Sequence, residues 1–423
     1  FLPFKNLGLI VVDEEHDSSY KQDEGIRYNA RDMAISRGSI ENIPVLLSTS
    51  IPSLETYNNV KNRKYNFTKL EKRFKNFSLP KTEIINLKLE KKNKNIWIDI
   101  KTLNLVKNYL ARDEQVLFFL NRRGYAPFMI CRKCGLKLEC QNCSIFLTFH
   151  KHLNKAMCHH CGYKTDIKNR KCKKAESSCE FQMYGPGVEK IFSELKQIFP
   201  EKKIKILSSD FLSKKKETKN LLNDIENNKI NILVGTQLIS KGFNFPNLNC
   251  IVVVDADFSG MGFDLRSAEK NIQLYNQLSG RAGRFSKDSL IIYQTFDPTG
   301  RTLKNILENN QEKFLEEETL LRKQKNLPPF CRLIAIIISS TNEKQGFLEA
   351  QKIKINLSKI RNLDILGPVS SPIFKVKNKY RTRLLVRFKK NLFAQKLINN
   401  MLKKIDIPKK IKLTVDVDPL NFS

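Results

Sequence analysis

The fold is decided first by residues 9–16, which read LIVVDEEH. A short apolar run that ends in acidic groups is typical of a parallel strand buried on both faces. Residues 45–47 form a second such run, followed directly by three hydroxyl residues. We therefore predict two parallel strands, the first of which carries Asp13 and Glu14 at its carboxyl end.

Beyond a polar, Lys-rich stretch at 61–95, which we expect to connect two lobes, helices and short apolar strands alternate. Such alternation predicts a doubly wound parallel sheet. A charged helix over 310–324 then leads to strands 332–339, 383–388 and 412–417, which with a long helix predict a small α+β end domain. The alternating elements are helix 99–110, strand 115–120, helix 188–199, strand 203–207, helix 214–227, strand 230–234, strand 250–254, helix 267–278 and strand 289–294.

The charge balance indicates an anionic partner. The chain has 423 residues, of which 75 are Lys or Arg and 43 are Asp or Glu, giving a net charge of +32. Such a field attracts polyanions, although a solubility trait or a Lys-rich genome remains an alternative. A hydrophobic content of 41% is enough to build cores, which excludes global disorder. We expect no membrane span and no signal peptide, and because the first residue is Phe1, we expect the chain to begin inside a longer protein.

Eight of the ten cysteines lie in one segment, mostly as C-x-x-C pairs. Each pair supplies two thiolates from a tight turn and zinc takes four, so the segment predicts two closed structural sites in a reducing compartment. His159 and His160 lie inside the third pair and remain alternative ligands, whereas Cys250 and Cys331 are predicted to be buried apolar residues. The predicted ligands are Cys131, Cys134, Cys140, Cys143, Cys158, Cys161, Cys172 and Cys179.

Residues 144–150 and 155–158, between the second and third cysteine pairs, predict a β-hairpin with aromatic and basic side chains. Zinc would hold both ends of this hairpin. We expect Phe146, Phe149 and His150 to act as a pin that separates nucleic-acid strands.

The acidic strand end has the arrangement of a Walker B motif. Asp13 would hold magnesium, Glu14 would polarise the water that attacks a phosphate, and His16 would sense the nucleotide. An ordinary acidic strand end is the alternative. The sequence contains no G-x-x-x-x-G-K-[ST] loop, so we expect that loop upstream of Phe1 and no ATP hydrolysis by these 423 residues alone.

Gln277, Arg281 and Arg284 close a predicted helix. Two arginines three positions apart can reach the charge that develops on a transferred phosphoryl group. A helix end that favours basic residues is the alternative.

Two loops carry candidate nucleic-acid contacts. In the first, residues 17–31, aromatic and basic groups alternate, which suits base stacking and phosphate neutralisation; an ordinary surface loop is the alternative. The second follows strand 230–234 and offers Thr236, Ser240 and Lys241 to a phosphate backbone. In the first loop the candidates are Tyr20, Lys21, Arg27, Tyr28 and Arg31.

Nine segments, taken in order, resemble the PriA family of replication-restart helicases in superfamily 2. They are LIVVDEEHDSSYKQ, IPSLE, FFLNRRGYAP, the cysteine segment, GPGVEK, ILVGTQLISKGFNFPN, VVVDADF, QLSGRAGR and VDVDP. The resemblance implies an α/β fold of two RecA-like P-loop NTPase lobes, the first partial and the second complete. It also implies a zinc-ribbon-like insertion and a small α+β C-terminal domain.

The implied domain boundaries follow the same order. Residues 1–90 would be the C-terminal part of lobe 1, residues 91–130 the start of lobe 2 and residues 131–181 the zinc-binding insertion. Residues 182–310 would complete lobe 2, and residues 311–423 would form the C-terminal domain.

The resemblance also implies an activity and its partners. It implies ATP- and magnesium-dependent movement from 3′ to 5′ on DNA, recognition of forked and single-stranded DNA, and primosome assembly. The expected partners are primosome proteins and single-stranded DNA-binding protein, for a cytoplasmic monomer. By position, the family's magnesium and water-activating pair corresponds to Asp13 and Glu14. Its nucleotide-contacting motif corresponds to Gln277, Arg281 and Arg284, and its DNA contacts include Arg122 and Arg123.

The zinc pairing implied by the family places the outer cysteines, Cys131, Cys134, Cys172 and Cys179, on one ion and the inner four on the other. The chain departs from the family at Ala175, where a cysteine is usual, at Ile51, which lacks a hydroxyl, and at Asn29, where histidine is common. Ile51 and the missing phosphate loop leave a second hypothesis open, a non-catalytic remnant that binds zinc and DNA.

Overall fold

The computed structural model describes residues 3–420. The gaps in this description are residues 23–24, 71–78, 89–95, 122–127, 132–133, 135, 137, 139, 141–146, 151–154, 159–161, 167–179, 185–186, 208–214, 237–244, 258–264, 284–287 and 391. No helix in the described part of the chain is long and apolar enough to cross a membrane.

Both apolar runs near the start of the chain form strands, as predicted. Strand β1 (Ile10–Val12) pairs in parallel with β2 (Val45–Leu47). Two helices accompany them, α1 (Ala30–Glu41) and α2 (Leu54–Lys61). Asn29 caps the start of α1 by accepting a hydrogen bond from the backbone N–H of Arg31.

Helix α1 packs against β2 through Gly38. A methyl group built on Gly38 would lie 2.3 Å from Val45 Cγ2 and 2.8 Å from the carbonyl oxygen of Ile43. Gly38→Ala should therefore push α1 from the strand. We expect a net loss of about 1–2 kcal/mol in the free energy of unfolding, because overpacking outweighs the helix propensity that alanine gains.

Urea denaturation of the chain measures this loss. Gly8→Ala is the matched control, because a methyl group there meets nothing within 4 Å. Equal stability of the two variants would contradict the close packing of α1 on β2.

The predicted doubly wound parallel sheet is confirmed. In the described residues it has six strands in the order β10-β11-β4-β12-β13-β3, and every neighbouring pair is parallel. The strands are β3 (Lys81–Asn86), β4 (Gln115–Phe119), β10 (Ile204–Leu207), β11 (Ile232–Gly235), β12 (Leu248–Val253) and β13 (Leu290–Thr295).

Helices cover both faces of this sheet. One apolar cluster packs side chains of α3 (Ile100–Ala111) and α4 (Val188–Ile198) against the sheet. A second cluster packs α5 (Lys215–Glu226) and α6 (Ser267–Ser279) against the sheet. The central strands are buried on both faces, which explains why they read as continuous apolar runs.

The position of strand β3 changes the predicted boundary between lobe 1 and lobe 2. Residues 81–86, placed in the connector and in lobe 1, form the edge strand of the lobe 2 sheet beside β13. Its burial alternates, because an edge strand exposes part of its surface. The sequence KTEIIN therefore lacks the apolar run that marked the other strands.

The cysteine segment forms an antiparallel sheet, whose described order is β8-β7-β6-β5-β9. The predicted hairpin is confirmed in its described part, since β6 (Thr148–His150) pairs with β7 (Lys155–Met157). Phe146 lies outside the described residues, so the strand-separating pin stays a prediction. The other strands are β5 (Phe128–Cys131), β8 (Lys164–Thr165) and β9 (Phe181–Tyr184).

The C-terminal domain has the predicted α+β fold. Its antiparallel sheet has the order β15-β16-β14-β17 among the described residues. Helices α9 (Glu343–Leu357) and α10 (Ala394–Lys404) cover one face, and α7 (Arg301–Leu307) and α8 (Gln311–Gln324) precede the sheet. The strands are β14 (Cys331–Ser340), β15 (Asp364–Val376), β16 (Lys379–Lys389) and β17 (Lys412–Val417).

Candidate functional site

The carboxyl ends of β1 and β2 lie side by side and present Asp13 to solvent. The Ser48 hydroxyl donates to Asp13 Oδ1 at 3.1 Å, and the backbone N–H of Glu15 donates to the carbonyl of Ser48. Oxygen ligands such as an exposed carboxylate suit magnesium. The acidic strand end predicted from the sequence is therefore in place.

Glu14 turns away from the strand toward lobe 2. Its backbone has a φ of 49°, a left-handed conformation that is uncommon for residues other than glycine and that clusters at functional sites. Its Oε2 lies 3.4 Å from Gln277 Nε2 and 3.6 Å from His16 Nε2, and about half of the side chain is exposed. Residues of the two lobes that the sequence assigned to one nucleotide thus meet.

A chain of hydrogen bonds continues from Gln277 into lobe 1. The Gln277 amide and His16 Nε2 are 3.1 Å apart, and His16 Nδ1 lies 2.7 Å from Thr49 Oγ1. Thr49 in turn donates to the carbonyl of Ile51. An amide N–H donates, so this geometry fits His16 accepting at Nε2 from Gln277 and donating from Nδ1 to Thr49. A change at Glu14 can therefore be passed to residues 49–51.

A polar stripe that begins at Arg266, the N-cap of α6, and continues along α6 makes further contacts with lobe 1. Arg266 donates two hydrogen bonds to Glu55, at 2.8 and 2.6 Å, and Glu269 accepts one from the backbone N–H of Leu54. Gln273 reaches the carbonyls of residues 51 and 52. Burial opposes the ionisation of Glu55, but Arg266 keeps the pKa of its carboxyl well below the usual value.

Sequence reasoning missed this stripe, although a signal was present. Positions 266, 269, 273 and 277 are three or four apart, so they share one face of a helix that also buries Ile272, Leu274, Tyr275 and Leu278. Polar side chains at that spacing on a buried helix indicate a polar interface.

Ile51, which departs from the family motif, is only 1% exposed. It packs with Leu54 and Tyr57 of lobe 1, with Ile272 of α6 in lobe 2, and with Phe314 of α8. An apolar side chain at this position therefore holds the lobes together.

The basic residues of the aromatic-rich loop, residues 17–31, form ion pairs within the protein. The side chain of Arg31 is largely buried in ion pairs with Glu15 and Asp32, and its contact with DNA stays a prediction. Lys21 and Arg27 also form ion pairs, with Asp416 of the C-terminal domain. The alternation of aromatic and basic residues in this loop gave no sign of Asp416 as a partner, because Asp416 lies near the other end of the chain.

The two tyrosines of the loop remain partly exposed. Tyr20 lies in a 3₁₀ turn and donates from its hydroxyl to the carbonyl of Asp13 at 2.6 Å. The loop is therefore joined directly to the acidic strand end. A role for Tyr20 and Tyr28 in stacking on bases stays a prediction.

The buried cysteines of the insertion form two groups. Cys131 and Cys134 pack together, as do Cys140 and Cys158, which share an apolar cluster with Leu147. This separation agrees with the outer and inner pairing that the family implies. Buried thiols close to tight turns are a donor set that fits zinc.

Two backbone hydrogen bonds join Cys158 to the described residues that follow the third cysteine pair. The carbonyl of Cys158 accepts from the backbone N–H of Gly162, and its N–H donates to the carbonyl of Tyr163. Gly162 has a φ of +82°, which glycine adopts without strain. The predicted ligands Cys143, Cys161, Cys172 and Cys179, with His159 and His160, lie outside the described residues.

The two isolated cysteines are buried, as predicted. Cys250 lies in the core of the lobe 2 sheet and Cys331 at the start of β14. Burial raises the pKa of both thiols, that of Cys331 to about 11.

The remaining predicted contacts are only partly described. Thr236 follows β11 at the carboxyl end of the sheet and is partly buried. Arg281 follows α6 and is partly buried. Arg284, Arg122, Arg123, Ser240 and Lys241 lie outside the described residues.

Known protein families and relatives match most regions of the chain. Residues 179–286 match the helicase conserved C-terminal domain, residues 140–165 the PriA DNA helicase Cys-rich region domain, and residues 323–420 the primosomal protein N C-terminal domain. Replication restart protein PriA of Rickettsia conorii is 41% identical over 422 residues, which cover 100% of this chain and 65% of that protein. The Bacillus subtilis protein of the same name is 32% identical, over 99% of this chain and 52% of its own length.

Proposed function

The chain belongs to the PriA family, and on that premise we propose that the protein is an ATP-dependent DNA helicase that acts in replication restart. The relatives carry the name replication restart protein PriA, and the chain spans 65% of the length of the first of them. Movement from 3′ to 5′ and recognition of forked and single-stranded DNA belong to the same proposal. A net charge of +32 supports binding to a polyanion such as DNA.

The observation that carries the proposal is the contact of Glu14 with Gln277 and His16 across the two lobes. Nucleotide-driven motors need groups from both lobes at one phosphate. Asp13 and Ser48 would hold magnesium, and Glu14 would orient and polarise the attacking water. Bound ATP supplies the phosphoryl group, whereas His16 and Thr49 connect Glu14 to the residues that follow β2.

Zinc belongs to the insertion, and we propose two ions per chain. The inner ion would take Cys140, Cys143, Cys158 and Cys161, and the outer ion would take Cys131, Cys134, Cys172 and Cys179. The relatives' name supports primosome proteins as partners. From the family resemblance we also propose single-stranded DNA-binding protein as a partner, and a monomer in the cytoplasm. A non-catalytic remnant is not favoured, because Glu14, His16 and Gln277 keep their mutual contacts.

Glu14→Gln in the full-length protein tests the proposal. The amide keeps the size of the side chain but cannot act as a base, so DNA-stimulated ATP hydrolysis should fall by roughly 10²–10⁴-fold. Binding of a single-stranded oligonucleotide should be unchanged, because Glu14 lies in the nucleotide site.

The matched control is Glu41→Gln, which removes a carboxylate from the surface of α1, where Glu41 pairs with Arg37. This control should hydrolyse ATP at the wild-type rate. Wild-type turnover by Glu14→Gln would refute the assignment of Glu14, and no DNA-stimulated turnover by the unmodified protein would refute the proposed function.

A further inference from the structure

We propose that Asp416 of the C-terminal domain clamps the aromatic-rich loop by occupying Lys21 and Arg27, and that the phosphates of DNA compete with it for these two cations. The competition with DNA rests on the proposed function; the clamp itself does not. In this view the C-terminal domain restrains the loop until nucleic acid replaces its carboxylate.

A single carboxylate makes both ion pairs. Lys21 Nζ lies 2.9 Å from Asp416 Oδ1, and Arg27 Nη1 lies 3.1 Å from Asp416 Oδ2. Lys21 also donates to the carbonyl of Val417 at 2.7 Å. The side chains of Lys21 and Asp416 are 6% and 8% exposed, so solvent screens this pair little.

The sheet of the C-terminal domain presents Asp416 to the loop. Asp416 lies on β17 opposite Ala335 of β14, and Ala335 belongs to the cluster on the face away from α9 and α10. Arg381 of β16 lies near the same contact, where burial and the neighbouring Arg27 lower the pKa of its guanidinium. Asp416 thus places a negative charge between Lys21 and Arg27 in a region that also holds Arg381.

The residue that precedes Lys21 in the loop contacts the acidic strand end, which is the proposed nucleotide site. Tyr20, next to Lys21, donates to the carbonyl of Asp13. The loop is closed on itself by a hydrogen bond from the N–H of Gln22 to the carbonyl of Tyr28. A phosphate backbone that draws Lys21 and Arg27 away from Asp416 would therefore move Tyr20 relative to Asp13. The clamp couples occupation by DNA to the geometry of the acidic strand end.

Asp416→Asn in the full-length protein tests the clamp. Hydrogen exchange is measured without DNA or ATP, and the loop amides of residues 20–28 should exchange at least roughly tenfold faster, because the contacts that hold them are lost. A single-stranded oligo(dT) probe should bind several-fold more tightly, because both cations become available to phosphate. ATP hydrolysis without DNA should rise above that of the wild type.

Asp364→Asn is the matched control. It removes a carboxylate of the same domain, which pairs with Arg387 on an exposed strand, and all three measurements should stay at wild-type values. Arg27→Met is the second variant in case Asp416→Asn does not fold; it leaves the Lys21 pair intact and should give a smaller acceleration of exchange.

Unchanged loop exchange in the folded variants would overturn the clamp. Faster exchange with unchanged affinity for oligo(dT) would overturn the competition with DNA. A wild-type protein that shows no DNA-stimulated ATP hydrolysis would contradict the proposed function instead, and the exchange measurement would still decide the clamp.

Discussion

Removal of zinc should unfold the cysteine insertion while the lobe 2 sheet stays folded. The described core of the insertion is small, with Leu138, Leu147 and Ala156 packed around Cys140 and Cys158. Structural zinc contributes about 10–16 kcal/mol of binding free energy to folding, which this core cannot replace. The lobe 2 sheet has two apolar clusters of its own and does not depend on the metal.

The measurement is hydrogen exchange before and after chelation, combined with elemental analysis. The strands β5 to β9 should lose protection, whereas β4, β11 and β12 should keep theirs. The untreated protein should contain two zinc ions per chain, and Cys140→Ser should contain one. Cys331→Ala is the control and should retain both, because Cys331 lies in the C-terminal domain.

Unfolding of the insertion should also loosen the part of the C-terminal domain that contacts it. A methyl group on Gly162 would lie 2.7 Å from Val369 Cγ1, so Gly162 packs closely against β15. After chelation the amides around Val369 should exchange faster. Retention of two ions by Cys140→Ser, or full protection of β5 to β9 after chelation, would contradict the predicted sites.

The parts of the fold that the sequence predicted well are those with an unambiguous burial pattern. Strands β4, β11 and β12 are buried on both faces and read as apolar runs. Strand β15 was missed because glycine and prolines interrupt its sequence and its register shifts twice against β16. Strand β3 was missed because it lies at an edge.

The candidate site was predictable where chemistry is local. Asp13, Glu14 and the cysteine pairs are recognisable from neighbouring residues alone. The partners of Lys21 and Arg27 were not, because Asp416 lies at the other end of the chain. Charge in a loop predicts an anionic partner, but it does not distinguish a nucleic-acid phosphate from a carboxylate of the same protein.

Arg322 is expected to be the most costly single side chain to remove from the interface between lobe 2 and the C-terminal domain. It is 1% exposed and lies between Glu269, at 3.0 Å, and Glu318, at 3.1 Å. Its guanidinium also donates to the carbonyls of Pro328 and Leu265. Arg322→Met would keep most of the volume and remove the cation between the two buried carboxylates, leaving Glu318 paired with Arg301 and Glu269 with Arg266.

Breaking a buried ion pair by removing one partner costs about 3–5 kcal/mol, so Arg322→Met should lower the free energy of unfolding by that amount in urea denaturation. Lys323→Met, on the exposed side of the same helix, is the control and should change stability little. Adding Glu269→Gln and Glu318→Gln to Arg322→Met should recover much of the loss, because neutral amides avoid the repulsion between two carboxylates. A loss for Arg322→Met equal to that of the control would contradict this account. So would a triple variant less stable than Arg322→Met, since the cost would then come from packing rather than from uncompensated charge.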